Sequence, residues 1–412
     1  MTCRTDQTCQ TYLIKLGELT LKGGNRAGFE KQLRRNLVTM LRARVPGARL
    51  RTNNGRFYLT LEQMPEAAGG AGETDSREAA VEAVLSRLTG ISGWAKTRVC
   101  EKSAGAVIAS CVEEARMLLS RGVGTFKAEA RRTDKSFPLT SHEICCAAGD
   151  AVTGAFPALS VKIKNPQAVI TIEIREKAYV YSVNTKGLGG LPAGSAGRGL
   201  LLLSGGIDSP VAGCLMAGRG MGVDGVYFHT PPYTSPQALE KTTRLAELTG
   251  AYAMGMRLWV VNFTEVQKRI GERGPPAWST VLLRMAMMEA ASSLARKRKA
   301  SCLITGESLS QVASQTIENL SCTQSRASLP VLRPLIGMDK ERITTLAKSF
   351  GTYETSILPY PDCCVLFRAE HPILRGKVQE AAALYESLCL PPLIDEAVQS
   401  AGVRKCGYYE SL

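Results

Sequence analysis

The sequence predicts an α/β protein whose carboxyl-terminal half is a doubly wound parallel sheet. Three observations carry that expectation. Leu200-Leu201-Leu202-Leu203 is a continuous apolar run ended by turn residues, as expected of a strand buried on both faces. Small and turn-forming residues, Ser204-Gly205-Gly206-Ile207-Asp208-Ser209, follow it, and a helical pattern begins at Pro210-Val211. Proline suits a first helical turn because no backbone N–H is missed there. Beyond the loop, strand-like and helix-like patterns alternate over 223–229, 242–248, 253–261, 281–295 and 302–305, the order of a parallel sheet with crossover helices.

Strand, glycine-rich turn and helix N-terminus together make an anion site. The sequence leads one to expect Gly205 and Gly206 to fold the backbone into a nest of N–H groups, with the helix dipole adding to the field. No Gly-Lys-Ser/Thr follows the second glycine, so the loop is not of the Walker type. Arg284 stands inside the apolar helical stretch 281–288, where a cation is costly unless it meets an anion. The run Arg296-Lys297-Arg298-Lys299 closes that helix and reads as a solvated face that complements its dipole.

The amino-terminal half reads differently. Strands are expected at 12–16, 56–61, 125–130, 168–174 and 178–183. Asn25 can cap a helix whose apolar positions are Phe29, Leu33, Leu37 and Leu41, and 79–88 is a second helical stretch. Residues 66–75 read as a loop or insertion, and the glycine-rich stretch 187–194 reads as a linker. Arg131, Arg132 and Lys135 follow a strand and can reach phosphates, whereas Phe137 reads as core. Residues 1–197 hold 28 Lys/Arg against 18 Asp/Glu, and the remainder 23 against 19. That excess points to a polyanion partner of the first half, although charge alone fits ordinary solvated surface equally well.

At 412 residues the chain should hold two or three domains, and 44% hydrophobic content makes it globular. No stretch suits a membrane span, and the first residues lack the apolar core of a signal peptide, so a cytoplasmic protein is expected. Thirteen cysteines without framework spacing read as reduced thiols. No Cys-x-x-Cys occurs and the histidines are His142, His229 and His371, so no metal centre held by the protein alone is expected.

Ser204-Gly205-Gly206-Ile207-Asp208-Ser209 resembles the PP-loop of ATP pyrophosphatases, which split ATP between its α and β phosphates. Further stretches resemble the tRNA 4-thiouridine synthetase family along nearly the whole chain. They are Gly17 to Arg26, Phe126 to Pro138, Phe228 to Ser235, Thr305-Gly306-Glu307-Ser308, Gln311 to Thr316, Arg333 to Lys340 and Leu358 to Cys364. The resemblance implies an amino-terminal ferredoxin-like α+β domain over 1–77 and a THUMP RNA-binding domain over 78–186. A linker over 187–197 and a PP-loop domain over 198–412 complete it. It places ATP contacts at Leu202, Leu203, Ser204, Gly205, Gly206, Asp208, Ser209, Tyr227, Phe228, Arg284, Gly306 and Gln315, and RNA contacts at Arg131, Arg132 and Lys135.

The implied chemistry is transfer of AMP from ATP, with Mg2+, onto O4 of the uridine at position 8 of tRNA. Sulfur from a cysteine-desulfurase persulfide then replaces that oxygen. Asp208 would support the ATP end, Lys340 would balance phosphate charge, and Cys363 would carry sulfur, since only a thiolate can accept or attack a persulfide. The family is also linked to sulfur for the thiazole of thiamine through a sulfur-carrier protein, and a homodimer is compatible with the resemblance. The likeness is to the form without a carboxyl-terminal rhodanese-like domain, because the sequence ends at Leu412, soon after Cys406. No iron–sulfur cluster is expected, and Cys364 reads as a spectator. Two other readings stay open on residues alone: a different PP-loop adenylating enzyme, or an RNA-binding module with an inactive nucleotide fold.

Overall fold

The computed structural model describes residues 10–53, 55–61, 71–361 and 370–407. The chain divides into two compact units. The first gathers the segment up to Gly23 with Arg44–Ser86 and Ile91–Gly189; the second gathers Gly24–Ala43, Arg87–Gly90 and everything from Gly190 onward.

In order, the first part of the chain forms β1 (Gln10–Leu16), α1 (Arg26–Arg44), β2 (Ala48–Asn53), β3 (Arg56–Leu61), α2 (Ala71–Arg87), β4 (Ile91–Cys100) and α3 (Ala104–Ser120). There follow β5 (Thr125–Arg132), α4 (Ser141–Ala155), β6 (Ser160–Val161), β7 (Ala168–Ile174), β8 (Ala178–Tyr181) and β9 (Thr185–Lys186). The strands make one sheet in the order β2-β3-β1-β4-β8-β7-β5-β6, with β9 also on β4. Strand β4 does double duty: its early residues pair antiparallel with β1, Ala95 opposite Leu13, and its last pair with β8, Arg98 opposite Val180. Under the far end of the sheet, Val107, Cys111, Ile144, Phe126, Phe137 and Ile170 share one core. Phe137 is core, as its sequence context implied.

Two expectations for this region change. Residues 71–75, read as loop, open α2. The strand β2 was not foreseen because Ala-Arg-Leu-Arg-Thr-Asn has an exposed, polar-rich pattern.

The second part forms β10 (Arg198–Leu202), α5 (Asp208–Gly218), β11 (Gly222–His229), α6 (Pro236–Ala253), β12 (Met256–Asn262), α7 (Thr264–Arg273), α8 (Ser279–Lys297) and β13 (Cys302–Ile304). It ends with α9 (Ile317–Gln324), β14 (Val331–Leu332), α10 (Lys340–Phe350), α11 (Tyr353–Ser356), α12 (Val378–Ser387), α13 (Pro391–Gln399) and β15 (Gly402–Cys406). The sheet order is β14-β13-β10-β11-β12-β15, parallel throughout except for β15 at the edge. Leu200 and Leu201 are both fully buried, yet they belong to different cores: one with α8 and α13, the other with α5, α6 and α10. That is the two-sided burial the four-leucine run implied.

The stretch read as a linker is not free coil. Leu191 and Ala193 are buried. Leu191 N donates to Gly218 O at 3.0 Å, Asn36 Nδ2 to Ala193 O at 2.9 Å, and Ala193 N to Thr89 Oγ1 at 3.0 Å. Gly190 has φ +67° and a Cβ there would lie 2.0 Å from Gly218 O, so only glycine fits.

Candidate active site

Strand β10 is the centre of the six-stranded sheet. The chain leaves it toward β11 and β12 on one side and returns to β13 on the other. Crossovers diverge there, and the crevice beyond the strand ends at such a point is where open α/β sheets bind ligands. A cavity lies at that place. It is lined by Leu202, Leu203, Ser204, Gly206, Asp208 and Ser209 from β10 and its loop, and by Tyr227 and Phe228 from the end of β11. Arg284, Met287 and Met288 of α8, Thr305, Gly306 and Glu307 after β13, and Gln315 complete the lining. Of the residues expected to contact ATP, all but Gly205 line this cavity.

Two serines brace the loop. Ser204 N donates to Ser209 Oγ at 2.9 Å, the two hydroxyls lie 3.0 Å apart, and Ser209 Oγ donates back to Ser204 O at 3.3 Å. The glycines of the loop are not required by a left-handed backbone. Neither Gly205 nor Gly206 takes a left-handed φ, and a Cβ at Gly206 would meet nothing closer than Ser204 Oγ at 3.5 Å. Gly206 leaves open space in the cavity wall rather than enabling a reversed backbone. The glycine with a steric reason is Gly306: a Cβ there would stand 2.6 Å from Ser209 N and 2.7 Å from Asp208 C. The turn after β13 thus lies directly on the backbone of the loop.

Asp208 opens α5, and its carboxylate is held from two sides. Lys340 Nζ is 2.5 Å from Oδ1 and Gln311 Nε2 donates to Oδ2 at 3.0 Å. Lys340 is the first residue of α10, where a cation opposes the helix dipole, and the aspartate offsets that cost. Asp208 and Lys340, singled out separately in the sequence, therefore meet. Nothing in the sequence alone marks Gln311 for this contact.

The other carboxylate of the cavity, Glu307, is 1% exposed. Its Oε1 pairs with Arg284 Nη2, and its Oε2 lies 2.7 Å from Arg333 Nε and accepts from Thr305 Oγ1 at 2.9 Å. Burial works to raise its pKa, but the two guanidiniums outweigh burial and hold it below the usual glutamate value. Arg284 needed an anion, and the first it meets is this glutamate. Arg284 Nε and Gln315 Oε1 are buried at the cavity without a hydrogen-bond partner among the described residues.

No group of three or more His, Cys, Asp or Glu among the described residues is arranged to hold a metal ion. Asp208 is the lining carboxylate not already spent on arginines, beside two serine hydroxyls. That donor set suits Mg2+, which binds through one or two carboxylates and takes its remaining ligands from phosphate and water. Among the described residues no helix is long and apolar enough to cross a membrane. Cys363 and Cys364 lie outside the described residues.

The strand runs further than the sequence suggests: Arg131 and Arg132 are the last two residues of β5, and of the three cations only Lys135 lies in the loop after it. Arg131 and Lys135 are exposed. Arg132 is not: it turns back and donates through Nη1 to Phe137 O at 2.9 Å, pinning its own loop.

Three family models match in chain order: the ThiI ferredoxin-like domain over residues 11–70, the THUMP domain over 102–183, and Thiamine biosynthesis protein (ThiI) over 194–390. A probable tRNA sulfurtransferase of Treponema pallidum is 47% identical over 390 residues, 94% of each chain. One from Caldanaerobacter subterraneus is 41% identical over 383 residues, 93% of this chain and 96% of the other. The crystal structure of a 4-thiouridine synthetase–RNA complex with bound ATP superposes with a TM-score of 0.85 at 33% identity, covering 96% of this chain and 99% of that one. On these matches the chain belongs to the ThiI family, among relatives named as tRNA sulfurtransferases.

Proposed function

We propose that the cavity at the end of β10 binds ATP and that the chain uses it to convert a tRNA uridine to 4-thiouridine. ATP-dependent thiolation of tRNA is the activity its family membership gives it. The observation that carries the reading to this cavity is the braced loop Ser204–Ser209, with Asp208 at the helix start and Gly306 packed on its backbone.

Uridine O4 is a poor leaving group. It attacks the α-phosphorus of ATP; the O4–P bond forms, the bond to the β-phosphate oxygen breaks, and pyrophosphate departs. The N-terminus of α5 and the loop amides stabilise the phosphate charge. Arg284 lines the cavity, and Lys340 is bonded to the lining Asp208, so both bring positive charge to the same place. Mg2+, held by Asp208, would neutralise phosphate charge. Leu202, Leu203, Tyr227, Phe228 and Gln315 supply a mostly apolar seat with one unspent acceptor, suited to an adenine and its amino group.

Sulfur then adds at C4 and AMP leaves with the former O4. Cys363 is the proposed carrier, loaded as a persulfide by a cysteine desulfurase. The terminal sulfur forms the bond to C4, and a second thiol cleaves the remaining S–S bond, leaving a disulfide. The uridine is taken to be that at position 8. The same persulfide is available to a sulfur-carrier protein of thiamine synthesis. Arg131 and Lys135 are proposed to meet tRNA phosphates. The working division is 1–77, 78–186 and 198–412, with 187–197 between, in a cytoplasmic enzyme that is compatible with a homodimer.

The test combines two measurements. With ATP, tRNA and a cysteine desulfurase, nucleoside mass spectrometry should show 4-thiouridine, and its absence defeats the reading. Cys363→Ser should abolish thiolation while ATP–pyrophosphate exchange persists. Full thiolation by that variant removes Cys363 from the sulfur path, and rescue by free sulfide would confine the thiol to sulfur relay.

A further inference from the structure

We propose that Glu307 is a positioning residue that fixes the Arg284 guanidinium in the cavity wall and sets the cavity's charge, an inference that rests on the use of that cavity for ATP. Glu307 has no direct claim on phosphate, since it is itself an anion. A buried carboxylate in the wall of a polyphosphate site would repel the ligand unless something more than cancelled it. Two arginines do. Arg284 takes one oxygen and Arg333 the other, and Thr305 completes the second. Two guanidiniums against one carboxylate leave a net charge of about one positive unit.

The geometry shows where that unit points. Arg333 is held away from the cavity lining, with Nη1 donating to Gln324 Oε1 at 2.6 Å. Arg284 lines the cavity; its Nε–H, like Nη2 of Arg333, is buried with no hydrogen-bond partner among the described residues, but only Arg284 is in the lining. A guanidinium on a long side chain has several rotamers, and a carboxylate bonded at one nitrogen selects among them. Glu307 therefore acts as a fixed hinge pin for Arg284. Arg333 supplies the charge that keeps the carboxylate from cancelling Arg284. Burial alone would favour protonation of this glutamate, and the paired arginines keep it ionised.

Opposite changes in affinity test this. Glu307→Gln keeps shape, removes the negative charge and frees Arg284. In ATP–pyrophosphate exchange its kcat should fall about ten- to a hundredfold, the cost of a misplaced catalytic group, while KM for ATP stays level or falls. Arg333→Gln leaves Arg284 pinned but neutralised, so KM for ATP should rise several-fold with a smaller loss of kcat. A purely structural role would raise KM in both variants alongside a lower melting temperature. Wild-type kcat in Glu307→Gln, or KM moving upward in both variants, overturns the inference. If Glu307→Gln does not fold, Glu307→Asp serves: it keeps the charge on a shorter arm, so kcat should fall with KM unchanged, and an unchanged kcat overturns the inference. Absence of exchange in the wild-type chain instead defeats the ATP reading itself, so the two failures are distinct.

Discussion

The two units present their cations in opposite ways. In the six-stranded sheet the cations converge from distant parts of the chain. Arg284 comes from α8 and Lys340 from α10, each tied to a carboxylate that lines one crevice. In the nine-stranded sheet Arg131, at the end of β5, and Lys135, in the loop after it, stand exposed, while their neighbour Arg132 is turned inward to hold that loop. A phosphate that must react needs directed, preorganised charge, at the expense of burying ions. A phosphate that must only be held is served by mobile surface charge, which salt screens.

Replacing the acid at the helix start tests the directed side of this contrast most severely. Asp208→Ala should lower ATP–pyrophosphate exchange by about 10²–10³-fold or more, with tRNA affinity and melting temperature close to wild type. Exchange at the wild-type rate would mean that the crevice works without it. Gly306→Ala comes next. Its new methyl must push the Ser209 backbone away, so exchange should drop about ten- to a hundredfold. A crystal structure of that variant with an undisturbed loop would show that the close approach is not needed.

On the surface side, Arg131→Ala with Lys135→Ala should weaken tRNA binding and reduce the slope of log affinity against log salt by about two. Arg132→Ala should instead cost about 1 kcal/mol of stability by releasing the loop, read from denaturant melts. Should Arg132→Ala alone flatten the salt slope, the division between holding and folding roles fails.

The smallest expected effect is on acid stability. The folded pKa of Glu307 lies below its ordinary value, so its ion pairs contribute fully above the ordinary glutamate pKa. That contribution is lost as pH falls below it through the lowered folded value. The gap in melting temperature between wild type and Glu307→Gln should therefore narrow in acid, and a gap that widens would reverse the sign of the coupling.

The parallel sheet was legible in the sequence because its central strand is apolar on both faces and its loop follows immediately. The exposed edge β15, Gly-Val-Arg-Lys-Cys, was not legible, because an antiparallel edge half open to solvent looks like a charged loop. Asp208 and Lys340 could be named from the family resemblance, but their contact could not, since 132 positions separate them. Glu307 and Arg333 carry no signal of their pairing in the sequence. A glutamate after Thr-Gly resembles any turn residue, and its burial between residues 284 and 333 exists only in the folded chain. At Gly206 the steric need is slight, since a Cβ would only border open space in the wall, whereas Gly306, marked in the sequence only by the family resemblance, is the glycine that close packing demands.

Strand β4 carries a consequence for modularity. It is bonded to β1 through one part of its length and to β8 through another, so residues matched by the ferredoxin-like and THUMP models share a single continuous ladder. A chain severed after residue 77 would strip the β1 edge of its cover and leave open backbone groups to template association. The two modules should melt as one cooperative block, with hydrogen exchange slowing together on both sides of β4. Evolution could then exchange what lies beyond this block more easily than either half within it.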